Sequence, residues 1–368
     1  MIQKINSYKT SFLRFYQDHE VLVSVLVFVF GFIFDLFTLG RIDDFLNLIQ
    51  QAVYLALLGA LLLYETKEKL GTLRLSPRLT KIWQYQNLVV HFLFGSLLSA
   101  YTIFYYTSAS ALTSFFFILL LAGLMMANEF PQIQRRGLLI RVILFAICLL
   151  SYFAFFYPIL LGHVGMIPFW LGFISSIIAW IILWKLQFAE DELHKKFLIG
   201  NILKPVVGVH LFFLIGYYFA LIPPVPVAVK KIGVYYNVTK ENGDYLGDHL
   251  NASWKFWNKG SQDFSARAGD KVFVLMSVFS PTRFEDKVFL KWYWHSPKNG
   301  WLQQDSIPLT ILGGREEGFR GFGEKNHYSP GDWRVEVETS DGREVGRINF
   351  SITVDSTNGP RVFNQDKF

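Results

Sequence analysis

KPVVGVHLFFLIGYYFALIPPVPVAVKK, residues 204–231, is the stretch that divides this chain into two parts. Its first portion, Pro205 to Ile222, is an apolar run of nearly the length that crosses a lipid bilayer, which takes about 20 residues. Pro223, Pro224 and Pro226 follow, and they stop the helix because proline cannot donate to a helical ladder. The stretch therefore predicts a membrane helix, a stiff connector and a different kind of domain beyond it.

The composition changes at this stretch. Hydrophobic residues make up 52% of the chain and charged residues 17%, against roughly 45–50% and about 25% in ordinary soluble domains. Apolar runs dominate residues 1–222, whereas charged residues are spread through residues 223–368. We expect a membrane domain over residues 1–222, a proline-rich connector over 223–231 and a β domain over 232–368.

Seven segments are apolar and long enough to cross the hydrocarbon core, which is roughly 30 Å thick, at about 1.5 Å per helical residue. They are residues 21–40, 46–64, 88–106, 109–127, 138–157, 166–184 and 205–222. No A-x-A-like cleavage site follows the first segment, which favours a retained helix over a signal peptide. The sequence therefore predicts a bundle of seven transmembrane helices.

The hydrophilic segments alternate in charge. One set contains 14 cations, in residues 1–20, 65–87, 128–137 and 185–204, whereas residues 41–45, 107–108 and 158–165 contain only Arg41. Because Lys and Arg concentrate in cytoplasmic loops, this pattern predicts a cytoplasmic amino terminus. Seven crossings then place the C-terminal domain outside the cytoplasm, which is the periplasm if the membrane is a bacterial inner (plasma) membrane.

Charge and cysteine content narrow the possible functions. The net charge of +6 lies mostly on the membrane half, because residues 223–368 carry 19 Lys and Arg against 18 Asp and Glu. Membrane orientation explains that excess, so nucleic acid is not an expected partner. Cys148 is the only cysteine, so no intramolecular disulfide can form. Histidines occur singly, without H-E-x-x-H or a Cys/His cluster, so no metal and no cofactor are expected.

Asp35 lies inside the first predicted span, where an ionisable group is costly, at about 2.5–3.5 kcal/mol near a helix centre. One interpretation is a carboxylate near the membrane surface, paired with Arg41 or bonded to a tyrosine: Tyr101, Tyr105 or Tyr106. The other interpretation is a substrate or ion site in an outward-facing cavity. The residues that would line this cavity with Asp35 are Asn47, Gln50, Gln51 and His163.

Three more polar groups, His91, Arg141 and His210, lie a few residues inside the predicted cytoplasmic ends of their spans. Arg141 can extend its charged end to the interface while its stem stays in the apolar region. A single histidine at this depth is usually a hydrogen-bonded packing residue. The alternative is a proton relay built from these three groups.

Beyond the prolines the hydrophobic period changes from 3.6 to 2, which is the strand pattern. Apolar and polar residues alternate in 347–354, 287–295 and 333–338, and Asp341-Gly342 is a strong hairpin signal. Residues 271–280 are apolar on both faces, which is typical of a central strand. The pattern predicts an all-β antiparallel sandwich of immunoglobulin-like kind.

Four motifs in this part resemble the terminal signature of the domain of unknown function 2914 family. They are Gly313-Gly314-Arg315, Gly318-Phe319-Arg320, GDWRV at 331–335 and GREVGRINF at 342–350. The resemblance covers roughly residues 280–354. Bacterial proteins of this family often carry the domain after membrane helices, so the resemblance implies a bacterial membrane protein. It implies no activity, because the family is defined without one.

The glycine-rich stretch Gly313 to Gly323 contains Arg315 and Arg320, and Lys325 lies just beyond it. It lacks the G-x-x-x-x-G-K-[ST] pattern of a phosphate-binding loop. Two interpretations stay open. The stretch is either a flexible hairpin tip or a site where the three cations bind an anionic headgroup, a glycan or another envelope protein.

The tryptophans of the C-terminal part form two groups. Three occupy alternating strand positions and are expected in the core: Trp292, Trp294 and Trp333. Three others occur in less regular stretches beside polar residues: Trp254, Trp257 and Trp301. The second group is suited to stack on sugar rings or to rest at the membrane interface.

Three functions are consistent with this organisation. The first is a non-enzymatic anchor, sensor or assembly subunit that displays a ligand- or partner-binding β sandwich. The stiff PPVP connector favours it, because such a connector transmits orientation better than a flexible linker. The second is a transporter or lipid-handling protein with a polar cavity near Asp35. The third is a membrane-embedded enzyme, although no pair of carboxylates and no Ser/His arrangement stands out.

Overall fold

The structure is a computed structural model, and it describes most of the chain. The described residues are 33, 37, 40–72, 83, 86–108, 117, 119–121, 123–124, 137–187, 191–250, 259–282, 284–314, 317–357 and 359–368. Two compact units divide them. The first contains the described residues of Met1–Phe104, Phe115–Ala154 and Gly172–Phe219, and the second contains those of Tyr105–Ser114, Phe155–Leu171 and Ala220–Phe368.

Helices make up the described N-terminal part of the chain. They are α1 (Phe45–Lys69), α2 (Gln86–Thr107), α3 (Leu138–Leu161), α4 (Met166–Lys185), α5 (Glu192–Leu198) and α6 (Lys204–Tyr218). A π-helical turn, Ile199–Leu203, joins α5 to α6 without a break. Within the described residues, five stretches are long and apolar enough to cross a membrane: α1, residues 89–107, α3, α4 and residues 192–218.

These five stretches match five of the seven predicted spans. The other two, residues 21–40 and 109–127, lie largely outside the described residues and stay predictions. Two predicted ends were wrong. Helix α1 continues past residue 64 to Lys69, which brings Glu65 into the helix. The last spanning stretch begins at Glu192 rather than 205, because the Asp191 side chain caps the helix by accepting from His194 N at 2.7 Å.

Eleven strands are described in the C-terminal part. They are β1 (Ala228–Tyr235), β2 (Asn237–Glu241), β3 (Asp244–His249), β4 (Asp263–Ala266), β5 (Val272–Phe279), β6 (Glu285–Ser296), β7 (Gly300–Leu312), β8 (Phe319–Lys325), β9 (Gly331–Thr339), β10 (Glu344–Val354) and β11 (Asn364–Lys367). They form three sheets, with strand orders β1-β5-β8, β4-β10-β9-β6-β7 and β11-β3-β2. The pairing is antiparallel except between β4 and β10, which is parallel and corrects the expectation of a wholly antiparallel sandwich.

The main core lies between the first two sheets. Alternate residues of β5, from Val272 to Val278, pack with Leu290, Trp292 and Trp333 of the five-stranded sheet. Of the three predicted core tryptophans, Trp292 and Trp333 are buried, and Trp294 packs against the same core while partly exposed. β5 is buried on both faces and lies between β1 and β8, as its uniformly apolar sequence predicts.

The glycine-rich stretch is not only a hairpin tip. Its second half forms β8, which pairs with β5. These glycines lie where the two sheets approach closely: a Cβ on Gly323 would lie 3.0 Å from Ile307 Cδ1 and 3.1 Å from Leu290 Cδ1, so both side chains would have to shift slightly. The glycines of β8 therefore serve packing between the sheets, which composition alone does not distinguish from flexibility.

The loop between α3 and α4 belongs to the same compact unit as the strands. Gly162 O accepts from Glu285 N at 2.9 Å, and Val164 N donates to Asp286 Oδ2 at 3.3 Å. The Val164 side chain is buried and belongs to the main core of the sandwich. The start of β6 and this loop are thus held together by backbone hydrogen bonds and by apolar contact.

Candidate anion-binding cleft

A cleft of about 610 Å³ opens at the edge of the sandwich, where β1 and β10 lie side by side. Four cations and two amides line it: Lys230, Lys231, Lys259, Arg347, Gln262 and Asn349. Ile232 and Ile348 complete the lining, so none of its described residues is a carboxylate, a cysteine or a histidine. Cations and amide donors without an acid are suited to hold an anion.

A β-bulge places the two lysines of β1 together. Val229 pairs with Val278 and Lys231 pairs with the next residue, Ser277, so Lys230 is an additional residue in the strand. Val229 and Ile232 both pack on the main core, three positions apart instead of two. Lys230 and Lys231 consequently both lie away from that core, over the rings of Phe279 at 5.2 Å and Phe368 at 5.8 Å.

Carboxylates behind the lining hold the other two cations. Arg347 Nε donates to Glu344 Oε1 at 2.6 Å, and its Nη2 lies 3.6 Å from Glu336 Oε1. The hydrogen bonds that Arg347 donates to Glu344 raise the pKa of the Arg347 guanidinium. Burial raises the pKa of Glu336, although Arg334 and Arg347 act in the opposite direction. Arg347 is therefore fixed in place and stays charged.

Asp366 of β11 accepts hydrogen bonds that hold the opposite wall of the cleft, the one that contains Lys259, in place. Its Oδ2 accepts from Tyr235 Oη at 3.0 Å and from Gly260 N at 2.9 Å, and its Oδ1 accepts from Lys259 Nζ at 3.4 Å. Burial, and then the Asp366 charge, raise the pKa of Tyr235, so this hydroxyl remains a donor. These bonds fix residues 259 and 260, which lead into the part of the wall that carries Gln262.

Two of the three cations predicted in the glycine-rich stretch already have partners. Arg320 Nη2 donates to Glu317 Oε2 at 2.6 Å, and its Nη1 lies 3.4 Å from Asp244 Oδ1. Lys325 pairs with Asp305 and lies 5.3 Å from the centre of the Trp333 ring. Arg315 lies outside the described residues. A charge so compensated offers less to an external anion than Lys231, for which no ion pair with a described residue is found.

Trp301 is partly exposed, as expected, and a cation covers one face of its ring. The Arg334 guanidinium lies 4.5 Å from the ring centre, and the same group lies 5.2 Å from the Tyr293 ring. His295 contacts Trp301 edge-on at 5.0 Å. A sugar that stacked on Trp301 would have to share it with Arg334. Trp254 and Trp257 lie outside the described residues.

Arg141 is held inside the helical unit. Its Nη1 donates to Glu65 Oε2 at 2.7 Å, and its Nη2 donates to Asn87 Oδ1 at 2.8 Å, so these bonds join α1, α2 and α3. Lys69 Nζ lies 3.0 Å from the other Glu65 oxygen. His91 lies one helical turn beyond Asn87 on α2. Arg141 therefore has an ion-pair partner that the sequence did not reveal, because residue 65 was assigned to a loop.

The remaining polar residues of the membrane half are dispersed. His210 Nδ1 lies 2.8 Å from Val206 O, and its Nε2 lies 3.1 Å from Ser176 Oγ. A carbonyl only accepts, so Nδ1 carries the hydrogen. Arg41 donates to both oxygens of Asp43, and His163 Nδ1 lies 3.3 Å from Leu161 O. Asp35, the centre of the predicted cavity, lies outside the described residues.

Two of the predicted cavity residues have partners within their own helix or just before it. Asn47 Nδ2 donates to Arg41 O at 3.3 Å, and Gln50 Nε2 donates to Tyr54 Oη at 3.0 Å. Gln51 is buried, and its Oε1 has no hydrogen-bond partner among the described residues. Among those residues, no group of three or more His, Cys, Asp or Glu could hold a metal ion.

The chain has apolar helices long enough to span a membrane, followed by a β domain whose main core lies between two of its three sheets. These features place it among membrane proteins that carry a β sandwich. Residues 285–352 match the family described as Protein of unknown function (DUF2914), which confirms the resemblance found in the motifs. The match spans β6 to β10 and includes Arg347 and Asn349 of the cleft, whereas Lys230, Lys231 and Lys259 precede it.

Solved structures give weak likenesses. An immunoglobulin-like protein from Pseudomonas aeruginosa is 12% identical and covers 35% of this chain and 98% of its own, with a TM-score of 0.21. An alkylpurine DNA glycosylase from Pseudomonas fluorescens, bound to DNA containing an abasic site analog, is 10% identical. It covers 85% of this chain and 100% of its own, with a TM-score of 0.22. TM-scores this low do not establish a shared fold. No curated protein matches the sequence.

Proposed function

We propose that this protein is a non-enzymatic binding module of a bacterial inner membrane. Its helices anchor an immunoglobulin-like β domain, and the cleft between β1 and β10 binds an anionic ligand. The observation that carries the proposal is the lining of the cleft, with four cations, two amides and no acid among its described residues. The carboxylates that contact Arg347 and Lys259 are not among the lining residues, and they hold these two cations in place.

The amino terminus is cytoplasmic and the β domain is extracytoplasmic in this proposal. The alternation of cationic and uncharged loops supports that orientation. A second observation agrees with it: the compact unit that contains the β domain also contains residues 105–108 and 155–171. Those residues include the uncharged loops 107–108 and 158–165, which the charge pattern assigns to the same side as the β domain.

Binding of soluble anions to the full-length protein in detergent tests the proposal. Suitable probes are a phosphomonoester, a phosphodiester, a polycarboxylate and an acidic oligosaccharide, measured by calorimetry at low and high salt. We expect at least one of them to bind the wild type at least tenfold more tightly than the variant with Lys230→Gln and Lys231→Gln, and salt to weaken that binding.

Lys271→Gln with Lys298→Gln is the matched control. It removes the same charge from the β domain at exposed positions that do not line the cleft, and we expect wild-type affinity. If no probe distinguishes the cleft variant from the wild type, the proposed anion site does not exist.

A second candidate function has one observation in its favour. The buried pair of Glu65 and Arg141 is the kind of charged group that marks a pathway in a transporter. If the helical unit moves a substrate, Glu65→Gln will abolish transport by protein reconstituted in vesicles. A structural pair will instead change only stability.

A further inference from the structure

An apolar groove of about 540 Å³ runs between α4 and the continuous helix formed by the π-helical turn and α6. One side of the groove is lined by residues of α4: Phe173, Ile177, Trp180, Ile181, Trp184 and Lys185. The facing side is lined by Ile202, Leu203, Val206, Val207, His210 and Leu211. His210 uses both ring nitrogens within the wall, so Lys185 is the charged group that the groove presents.

The position of the groove determines what can fill it. From Phe173 to Lys185 is twelve residues of α4, about 18 Å along the helix, and one leaflet of the hydrocarbon core is about 15 Å thick. The groove therefore runs from the end of a membrane-spanning helix through most of one leaflet. Its floor is buried at Ile202 and Val206, while Ile181, Val207 and Leu211 on its rim are exposed. An apolar groove does not hold water, and hydrocarbon is the medium that surrounds it.

Two basic residues lie at one end of the groove. Lys185 is the last residue of α4, and Lys204 directly follows Leu203 of the facing wall. Both belong to the predicted cytoplasmic segment 185–204, where anionic lipids attract basic residues. The π-helical turn that contributes Ile202 and Leu203 is a rare element that is frequent at functional sites.

We propose that this groove is a specific site for one anionic phospholipid, with an acyl chain between α4 and α6 and the headgroup phosphate at Lys185 and Lys204. The apolar walls bind the chain, and the two cations select the headgroup. The site is separate from the cleft of the β domain, so either proposal can fail without the other.

Native mass spectrometry of the full-length protein tests the groove. The protein is reconstituted with phosphatidylglycerol or with phosphatidylcholine of the same acyl chains, and the lipids retained after transfer to detergent are counted. Val207→Trp fills the groove, so we expect it to retain one phosphatidylglycerol fewer than the wild type. Ile178→Trp is the control, because Ile178 is equally exposed on α4 and does not line the groove.

A second pair of substitutions tests whether Lys185 and Lys204 select the lipid headgroup. Lys185→Gln with Lys204→Gln should reduce the preference for phosphatidylglycerol about 30-fold, since each basic residue near a membrane surface contributes roughly fivefold. Lys195→Gln with Lys196→Gln removes the same charge from α5 and should keep the preference. Equal retention by wild type and Val207→Trp would overturn the site, and so would a wild type that retains both lipids equally.

Discussion

Arg141 Nη1 and Glu65 Oε2 are 2.7 Å apart and lie on different helices, and both side chains are buried. Glu65 is near the C-terminal end of α1, and Arg141 is in the first turn of α3. Each charge therefore has the sign that its own helix dipole disfavours. The pair is favourable only because the two helices come together.

Removing one partner of this pair should destabilise the helical unit strongly. Glu65→Leu leaves Arg141 buried without its carboxylate, and we expect a loss of about 3–5 kcal/mol in the free energy of unfolding. Titration of the purified full-length protein with denaturing detergent, followed by circular dichroism, measures it. Glu65→Leu with Arg141→Met should recover most of the loss, and a double variant as unstable as the single one would contradict this account.

Val164 should stabilise the β domain although it lies between two helices in the sequence. Val164→Ala removes buried methyl groups from the main core, and we expect a loss of about 1–3 kcal/mol. Hydrogen exchange of the backbone amides of β6 and β10 in the full-length protein measures this loss of stability. Val362→Ala is the matched control, since Val362 is 85% exposed. Unchanged exchange in Val164→Ala would mean that the loop does not share the core in solution.

Asp355 should make the stability of the β domain depend on acid pH. The hydroxyl and N–H of Thr357, and then Arg267 and Arg361, lower the pKa of this carboxyl. The stabilisation that the Asp355 carboxylate contributes is therefore complete at pH values above the ordinary Asp pKa of about 3.9. It is lost as the pH falls through the lower pKa that this carboxyl has in the folded protein. We expect Asp355→Asn to be less stable at pH 7 and to have a flatter profile below about pH 4.

Hydrogen exchange of the backbone amides of β4 and β10 between pH 3 and pH 7 measures how the stability of the β domain in the full-length protein depends on pH. Asp332→Asn serves as the control, because Asp332 is exposed on β9. A profile of Asp355→Asn that parallels the wild type would show that the hydrogen bonds do not persist in solution.

Arg320 should contribute less to anion binding than the lysines of β1. Its guanidinium already faces Glu317 and Asp244, whereas the lysines line the open cleft. We expect Arg320→Gln to change anion affinity less than threefold, against tenfold or more for Lys230→Gln with Lys231→Gln. Calorimetry with the best soluble anion compares them, and the reverse order would transfer the site to the glycine-rich stretch.

The sequence predicts elements whose pattern is local. Period-2 alternation located β6, β9 and β10, and the uniformly apolar run of β5 correctly indicated a central strand. Apolar length located the five described spans. The membrane-side orientation and the two remaining spans stay predictions. Helix ends were less predictable: α1 continues to Lys69, and the partner of Glu65 in this last part, Arg141, is 76 positions away.

The cleft was not predictable for a similar reason. Lys231, Lys259 and Arg347 are far apart in sequence and meet only where β1, β10 and the segment just before β4 come together. Simple alternation would also send Lys230 and Lys231 to opposite faces, and the bulge that prevents this has no clear local signal. Arg320 and Lys325 stood out in the sequence although each has a carboxylate partner on another strand, Asp244 on β3 and Asp305 on β7.

The cleft depends on the extra residue in β1 as well as on the type of its residues, because the bulge directs both lysines away from the core. A relative that kept both lysines but paired this strand in regular alternation would turn one of them toward the interior. The cleft would then lose a cation from its lining without any change in the net charge of the domain.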